Sequence, residues 1–282
     1  MPTVKPIVVF GAAGITGKSL VAELERRDLA VRAVVRRAAQ RASFRDSRVA
    51  DLRSVEEVSN AVQGAGAIHF IPPSFNDNET AFAANLILAA EKTGVRRVTY
   101  HSVLHAPTPA MPHHWRKSQV ELLLRESALI WTILQPAMYT QTWLTFLDET
   151  AGEFTPPFDL RGIFSPVDLR DVAEATANVL TAEGHGYATY ELVGAERFTP
   201  PTLVEALQAT LERPLQIRQA PTEEFARARA ARKGWSSVQT DELISMYRHY
   251  GEFGLPGNGR VLEMLLGRAP TRFGDAVLRE RR

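Results

Sequence analysis

The sequence predicts an α/β protein, a doubly wound parallel sheet followed by a smaller, mostly helical C-terminal lobe. Short β-branched runs alternate with helical patterns through the first two-thirds of the chain, with short connections between them. Several of the runs are apolar nearly throughout, as strands covered on both faces have to be. A glycine-rich turn joins the first run to the first helical pattern.

Taken in order, the first strand is PIVVF, Pro6 to Phe10, and a helix over Thr16–Arg27 follows the glycine turn. AVRAVV (Ala30–Val35) is the second strand, and a weaker one lies at Arg48–Asp51. Ser54 can cap a helix through Val62, because its hydroxyl can accept from an otherwise unpaired N–H of the first turn. AIHFI (Ala67–Ile71) leads to a helix over Asp77–Thr93, which ends at Gly94, a natural left-handed cap. RVTYHS (Arg97–Ser102) precedes a helix over His114–Glu126 with Val120, Leu123 and Leu124 on one side, and IWTILQ (Ile130–Gln135) follows. Beyond about Thr155 the rhythm changes. A strand end at Phe164–Pro166, a helix over Asp168–Ala182 and a strand over Tyr187–Val193 come first. Pro200-Pro201 then open a helix, Leu215–Arg218 form a short strand, and the rest is mostly helical. The expected division is 1–154 and 155–282, with the segment near 163–182 returning to the first domain.

Composition narrows the function classes. The 282 residues are 45% hydrophobic and 23% charged, an ordinary globular balance. A net charge of +1 gives no reason to expect nucleic acid or an acidic membrane as partner. The chain has no cysteine, which excludes disulfides, thiolate metal sites and cysteine nucleophiles and fits a reducing compartment. MPTVKPIVVFGAAG lacks the order of a signal peptide, and the most apolar later stretch, Ala81–Ala90, is far short of a membrane span. A soluble cytoplasmic protein is expected.

VVFGAAGITGKSL places Gly11, Gly14 and Gly17 directly after a strand and at the opening of a helix. Gly11 permits the tight turn, Gly14 lets backbone approach a pyrophosphate, and Gly17 lets the helix pack close to the sheet. The helix start at Ile15 and Thr16 supplies N–H groups and the positive end of the helix dipole. This is the dinucleotide-binding pattern of a Rossmann fold. The second strand ends VVRRAAQR, with Arg36 and Arg37 and no acid for a ribose 2′-hydroxyl. NADP(H) is therefore favoured over NAD(H), with Arg36 as the phosphate-binding fork, although both arginines could merely cap a solvated helix start. Asp51 and Leu52 lie where an adenine would sit, and Asp51 could accept from its amino group or cap the helix near Ser54.

With these residues in hand, the sequence resembles the NmrA-like group of atypical short-chain dehydrogenases/reductases over nearly its whole length. GAAGITG, VVRR and HFIPPS (His69–Ser74) look like the group's motifs, as do SPVDLRDVAEA (Ser165–Ala175) and LLGRAPTRF (Leu265–Phe273). The most specific match is PHHWRKSQVELLLRESALIWTILQPAMYTQ, Pro112–Gln141, in which Gln135 stands where many relatives carry arginine. The resemblance implies a Rossmann domain holding NADP(H) and a C-terminal substrate lobe. The group includes NADPH-dependent quinone and dye reductases, plant phenylpropanoid reductases, and regulators that bind the nucleotide without known turnover.

Ordinary short-chain reductases use Tyr-x-x-x-Lys, the tyrosine as general acid and the lysine on the nicotinamide ribose. No lysine here has a tyrosine four residues before it, and Lys117 has His113 instead. Lys117 is expected to bond the ribose, the plain alternative being a solvated lysine in a first helical turn. His113 either donates a proton or only bonds the helix start. Ser102 is a candidate substrate-polarising serine or a turn residue. His101, His105, His113 and His114 cluster in sequence without a framework for zinc, so no metal is expected. Pro72, Pro73, Pro136 and Met138 should lie along the cofactor. Ser74, Tyr139 and Trp143 should line a substrate pocket, although Trp143, Phe146 and the Phe154–Phe158 region could equally pack as core. Asp171 is expected to anchor the late helix. These expectations add up to an NADP(H)-dependent oxidoreductase passing hydride to a small electrophile such as a quinone, an enone or an aromatic acceptor. The rival is an NADP(H)-binding redox sensor that reports to a protein partner.

Overall fold

A computed structural model describes residues 5–281, so the first residues of the segment weighed as a signal peptide lie outside it. The elements run β1 (Ile7–Phe10), α1 (Ile15–Arg26), β2 (Val31–Val35), β3 (Ser47–Val49), α2 (Val55–Val62), β4 (Ala67–Phe70), α3 (Glu79–Thr93), β5 (Arg97–His101), α4 (Pro112–Arg125) and β6 (Ile130–Pro136). They continue with α5 (Thr140–Trp143), β7 (Leu147–Asp148), β8 (Glu153–Phe154), α6 (Leu169–Thr181), β9 (Ala188–Leu192) and α7 (Pro200–Leu211). β10 (Gln216–Ile217), α8 (Thr222–Lys233), α9 (Ser237–Phe253), α10 (Arg260–Leu266) and α11 (Phe273–Glu280) complete the chain. No helix among the described residues is long and apolar enough to cross a membrane.

Seven strands form a parallel sheet in the order β3-β2-β1-β4-β5-β6-β9. The order reverses direction at β1, the doubly wound arrangement that leaves helices on both faces. Each strand sends alternate residues to opposite sides. Val8, Phe10, Ile68, Phe70, Val98 and Tyr100 join α2, α3 and α4 side chains in one buried cluster. Ile7, Val9, Ala33 and Ala67 join Leu20, Val21 and Leu24 of α1 and Ala177 and Leu180 of α6 in another. Both faces are dry, which explains the continuous apolar runs in the sequence.

Phe164 departs from expectation. It bridges to Phe198 and Leu255 and takes no place in the seven-stranded sheet. Pro166, which has no N–H to give a ladder, follows two residues later. A second sheet has three strands of two residues each, in the order β10-β8-β7; β10 lies within the short strand expected at Leu215–Arg218, while β7 and β8 were not expected.

The chain forms two compact units. One holds the residues up to Val103, Arg116–Gln135 and Ala173–Tyr190; the other holds Leu104–Trp115, Pro136–Val172 and the residues from Glu191 onward. This partition differs from a boundary after residue 154, because the chain changes unit several times. The residues from Ala173 to Thr181, most of α6, do belong with the seven-stranded sheet.

In the second unit, Trp143 is wholly buried against Phe146, Phe154, Phe158 and Phe164, with ring centroids 5.0–6.4 Å apart. Asp168 is buried and accepts from Arg279 Nη2 on both oxygens at 2.6 Å and from Gln141 Nε2 at 2.9 Å. Asp171 accepts from Arg268, the Thr271 hydroxyl and the Thr271 N–H, which is the anchoring role expected of it. The C-terminal helix α11 is thus tied down by charge as well as by Phe273, Ala276 and Val277. Replacing Arg279 by Met strands the buried Asp168 carboxylate, and should cost about 2–4 kcal/mol in urea unfolding.

His69, in the middle of the sheet, is completely buried, and neither ring nitrogen has a partner among the described residues. Its ring and that of His101 lie nearly perpendicular, with centroids 5.7 Å apart. Burial drives its pKa from the ordinary 6.5 down to about 3. The folded chain therefore keeps His69 neutral while the unfolded chain protonates it. Stability contributed above pH 6.5 is lost as pH falls toward 3, by up to about 1.4 kcal/mol per pH unit. His69→Leu should flatten the acid limb of a stability–pH profile by one proton's worth; an unchanged slope between pH 6.5 and 4 would show that His69 is not the titrating group.

Candidate active site

The turn from β1 into α1 needs two of its glycines for reasons internal to the protein. Gly11 has φ +71°, and a Cβ there would lie 2.5 Å from the Ile71 carbonyl oxygen. A Cβ on Gly17 would lie 2.3 Å from the Gly11 oxygen and 2.6 Å from the Ala12 Cα. Gly14 is different. Its φ is an ordinary −75°, and an added Cβ would meet only the Gly11 oxygen at 3.4 Å. The protein leaves room for a side chain there, so nothing among the described residues requires Gly14 to be bare. Gly14 is also the N-cap of α1, which has neither a side-chain cap nor an acid in its first turn. By contrast α2, α7 and α9 are capped by Ser54, Thr199 and Ser236. An uncapped helix start beside bare backbone is the arrangement that accepts phosphate. The residues present therefore fit a dinucleotide, with Ile15 exposed and Thr16 half-buried at the helix start.

Arg36 follows β2 directly, is exposed, and has no hydrogen bond or ion pair among the described residues. Arg37 instead occupies the N-cap of a short 3-10 helix over Ala38–Ser43 and donates its N–H to Gln40 Oε1. Asp51 does not cap α2. Its carboxylate accepts from the Arg53 N–H, Nε and Nη2, bonds that hold its pKa below the ordinary value, and Ser54 is the residue that caps α2. Leu52 packs against the core, and its carbonyl is held by Asn85 Nδ2 at 2.9 Å.

Lys117 is buried, which rules out the solvated alternative. Its Nζ lies 3.0 Å from Glu79 Oε1, 3.5 Å from the His101 carbonyl oxygen, and 5.5 Å from the centre of the Tyr100 ring. Glu79 has no exposure at all and also accepts from the Tyr100 hydroxyl at 2.6 Å. Burial first, and then the negative charge of Glu79, push the Tyr100 hydroxyl well above its usual ionisation range. Tyr100 is therefore a fixed donor to Glu79 and not the missing general acid. Glu79 was invisible as a site residue in the sequence, where it reads as one more acid in a first helical turn.

Ser102 is also corrected. Its hydroxyl is buried and donates to Glu121 Oε1 at 2.5 Å, so its proton is already committed and not free to polarise a substrate. Glu121 Oε1 accepts from Gln135 Nε2 at 2.7 Å as well, and Glu121 Oε2 is 3.2 Å from Arg125. His113 is buried one turn before Lys117 on α4. His114 is buried with Nε2 3.0 Å from the Tyr250 hydroxyl, a structural pairing that separates it from its neighbour. Among the described residues no group of three or more His, Asp or Glu could hold a metal.

Of the remaining candidates, Pro72 is buried while Pro73 and Ser74 are exposed. Pro136 ends β6. Met138 and Tyr139 are half-buried, and their backbone pairs with Val167. Trp143 offers no face to a substrate, since its ring is enclosed by the aromatic core described above.

Comparison with known proteins places these features in context. The model of the NmrA-like family matches residues 3–273, and the chain belongs to that family. An NAD(P)H azoreductase of Xenophilus azovorans is 26% identical over 249 residues, 86% of either chain. The NADPH-dependent quinone oxidoreductase QOR2 of Escherichia coli, solved with NADPH, superposes with a TM-score of 0.83 at 24% identity, over 98% of this chain and 100% of its own. The triphenylmethane reductase of Citrobacter sp., solved with NADP(H), gives 0.83 at 22% identity, over 97% and 99%.

The contrast between glycines is open to a direct check. Gly14→Ala should leave stability within about 0.5 kcal/mol of the parent while weakening dinucleotide binding about tenfold or more. Gly17→Ala should cost about 1–3 kcal/mol in folding, because backbone must move to admit the methyl. Equal losses of stability in both variants would mean that the open space at Gly14 is not real.

Proposed function

We propose that this member of the NmrA-like family is an NADP(H)-dependent reductase that passes hydride to a small conjugated electrophile such as a quinone or enone. The observation that carries the reading is Lys117. An ammonium buried within one unit, beside the carboxyl ends of the central strands, is expensive unless it serves a ligand, and it retains an N–H beyond its bonds to Glu79 and His101. That donor suits a ribose hydroxyl. When bound, the reduced nicotinamide supplies the hydride.

The protein's own groups do the rest. Gly14, Ile15 and Thr16 meet the pyrophosphate on the turn that Gly11 and Gly17 shape; Pro72 and Pro73 in the same unit, and Pro136 and Met138 in the other, are the remaining candidates for cofactor contact. Arg36 has a planar fork and no hydrogen bond or ion pair among the described residues, which supports recognition of a 2′-phosphate and a preference for NADP(H) over NAD(H). Ser74 and Tyr139 are the substrate-facing candidates. Acceptor chemistry follows from the absence of a tyrosine four residues before Lys117. An oxyanion delocalised over a conjugated ring can take its proton from water, so the reaction needs no strong protein acid. His113 stands where that acid would be and serves acceptors that do need a proton. The azo, quinone and triphenylmethane-dye acceptors named for the relatives are all conjugated, which supports this substrate class.

Fluorescence titration should give tighter binding of NADPH than of NADH, and Arg36→Ala should weaken NADPH about tenfold while barely altering NADH. A panel of quinones, enones and aldehydes should then show NADPH oxidation fastest with quinones. Binding without turnover of any acceptor would replace the reductase reading by that of a nucleotide sensor.

A further inference from the structure

We infer that Glu79 is a positioning residue for the nucleotide site: it fixes the place and charge of the Lys117 ammonium, and so controls binding of the nicotinamide half of the cofactor. The inference rests on the functional reading of Lys117 given above and goes beyond it to a residue 38 positions away in sequence.

Three features single out Glu79. It is the first residue of a 15-residue helix, α3, whose positive dipole end favours a carboxylate there. Its side chain is nevertheless not spent on capping, since α3 has no side-chain cap and Asn78 holds the N-cap position. The carboxylate is instead completely buried and turned to Lys117 and Tyr100, which both bond the same oxygen, Oε1. Oε2 has no partner among the described residues. A carboxylate that served only to hold the fold would be expected to use both oxygens. This one leaves half its capacity unused and keeps a single short contact with the one buried ammonium of the unit.

The geometry also explains why the pair sits so deep. The first six residues of α4 include His113, His114, Arg116 and Lys117 and no acid. Residues from the α3 end supply the compensation. Asp77 meets Arg116 at 3.3 Å, and Glu79 meets Lys117 at 3.0 Å. Asp77 is exposed and contributes little. Glu79 is completely buried, so solvent screens its charge from Lys117 far less than it screens Asp77 from Arg116. Tyr100 closes the arrangement by holding Oε1 from the strand side, which stops the carboxylate from rotating away.

The test compares two ligands in one assay. NADPH reaches both halves of the site, while adenosine 2′,5′-bisphosphate carries only the adenine, ribose and phosphates that meet the glycine turn and Arg36. Glu79→Gln keeps the shape and the Tyr100 bond but removes the charge. It should weaken NADPH binding at least about tenfold, the scale of one charge-assisted hydrogen bond, and leave the bisphosphate within about twofold. In a Lys117→Met background the same substitution should have no further effect on NADPH. Tyr100→Phe, which keeps the carboxylate, should give a smaller loss in the same direction. Equal weakening of both ligands by Glu79→Gln, or additive losses in the double variant, would make Glu79 a structural residue and overturn the inference. Loss with Lys117→Met but none with Glu79→Gln would overturn it while leaving the functional reading intact. A parent protein that binds the bisphosphate and NADPH equally would remove the premise for both.

Discussion

A buried ammonium cannot be left alone, and much of the first unit is arranged around that constraint. Helix α4 carries His113, Lys117, Glu121 and Arg125 at successive four-residue intervals, so that one side of it is a polar stripe. Each member of the stripe that the sheet side covers has an answering group. Glu79 and Tyr100 meet Lys117, while Ser102 and Gln135 meet Glu121. Val120 and Leu124 supply the dry contacts between them. The position of α4 is therefore fixed by directional bonds, which tolerate less sliding than apolar packing, and the residue offered to a ligand inherits that rigidity.

Most of the sheet was legible because its physics is local. β-branched runs, a left-handed Gly94, the Ser54 cap and the glycine turn each announce themselves within a few residues, and the observed bounds differ from the expected ones by a residue or two. What could not be read were outcomes decided at a distance. Phe164 sits in a run that looks like a strand, yet its partners, Phe198 and Leu255, are far away in sequence. The two-residue strands β7 and β8 carry too few side chains for any periodicity to register.

The site divides in the same way. Gly11, Gly14, Gly17 and Arg36 could be placed because a strand–turn–helix motif is written contiguously, and Lys117 because a spacing of four on a helix has a chemical meaning. Asp51 and Ser102 were legible as polar residues at strand ends, but their partners were not. Arg53, two residues on, takes the first, and Glu121, nineteen residues on, takes the second. Glu79 carries no motif at all. Only the pairing of β4 with β5 and the docking of α3 and α4 bring it to Lys117, and nothing in the spacing of thirty-eight residues signals the contact. Trp143 shows the opposite failure: a large aromatic after an active-site strand suggests a pocket, and the burial that decides otherwise depends on four phenylalanines from three later segments and its own.

The seven-stranded sheet is not finished in the order in which it is made. β6 has β5 on one side and β9 on the other, yet 51 residues separate the end of one from the start of the other in the numbering Pro136 to Ala188. During synthesis the ribosome therefore exposes a sheet whose newest strand, with Ile133 and Leu134 destined for complete burial, ends in an open row of unpaired N–H and C=O groups. At translation rates of about 5–20 residues per second that edge stays open for several seconds. An open strand edge of this kind is a template for pairing with another chain, and a pause in translation between the two strands would lengthen that exposure. The far edge carries no such risk, because β3 is three residues long and bears Arg48 at its centre.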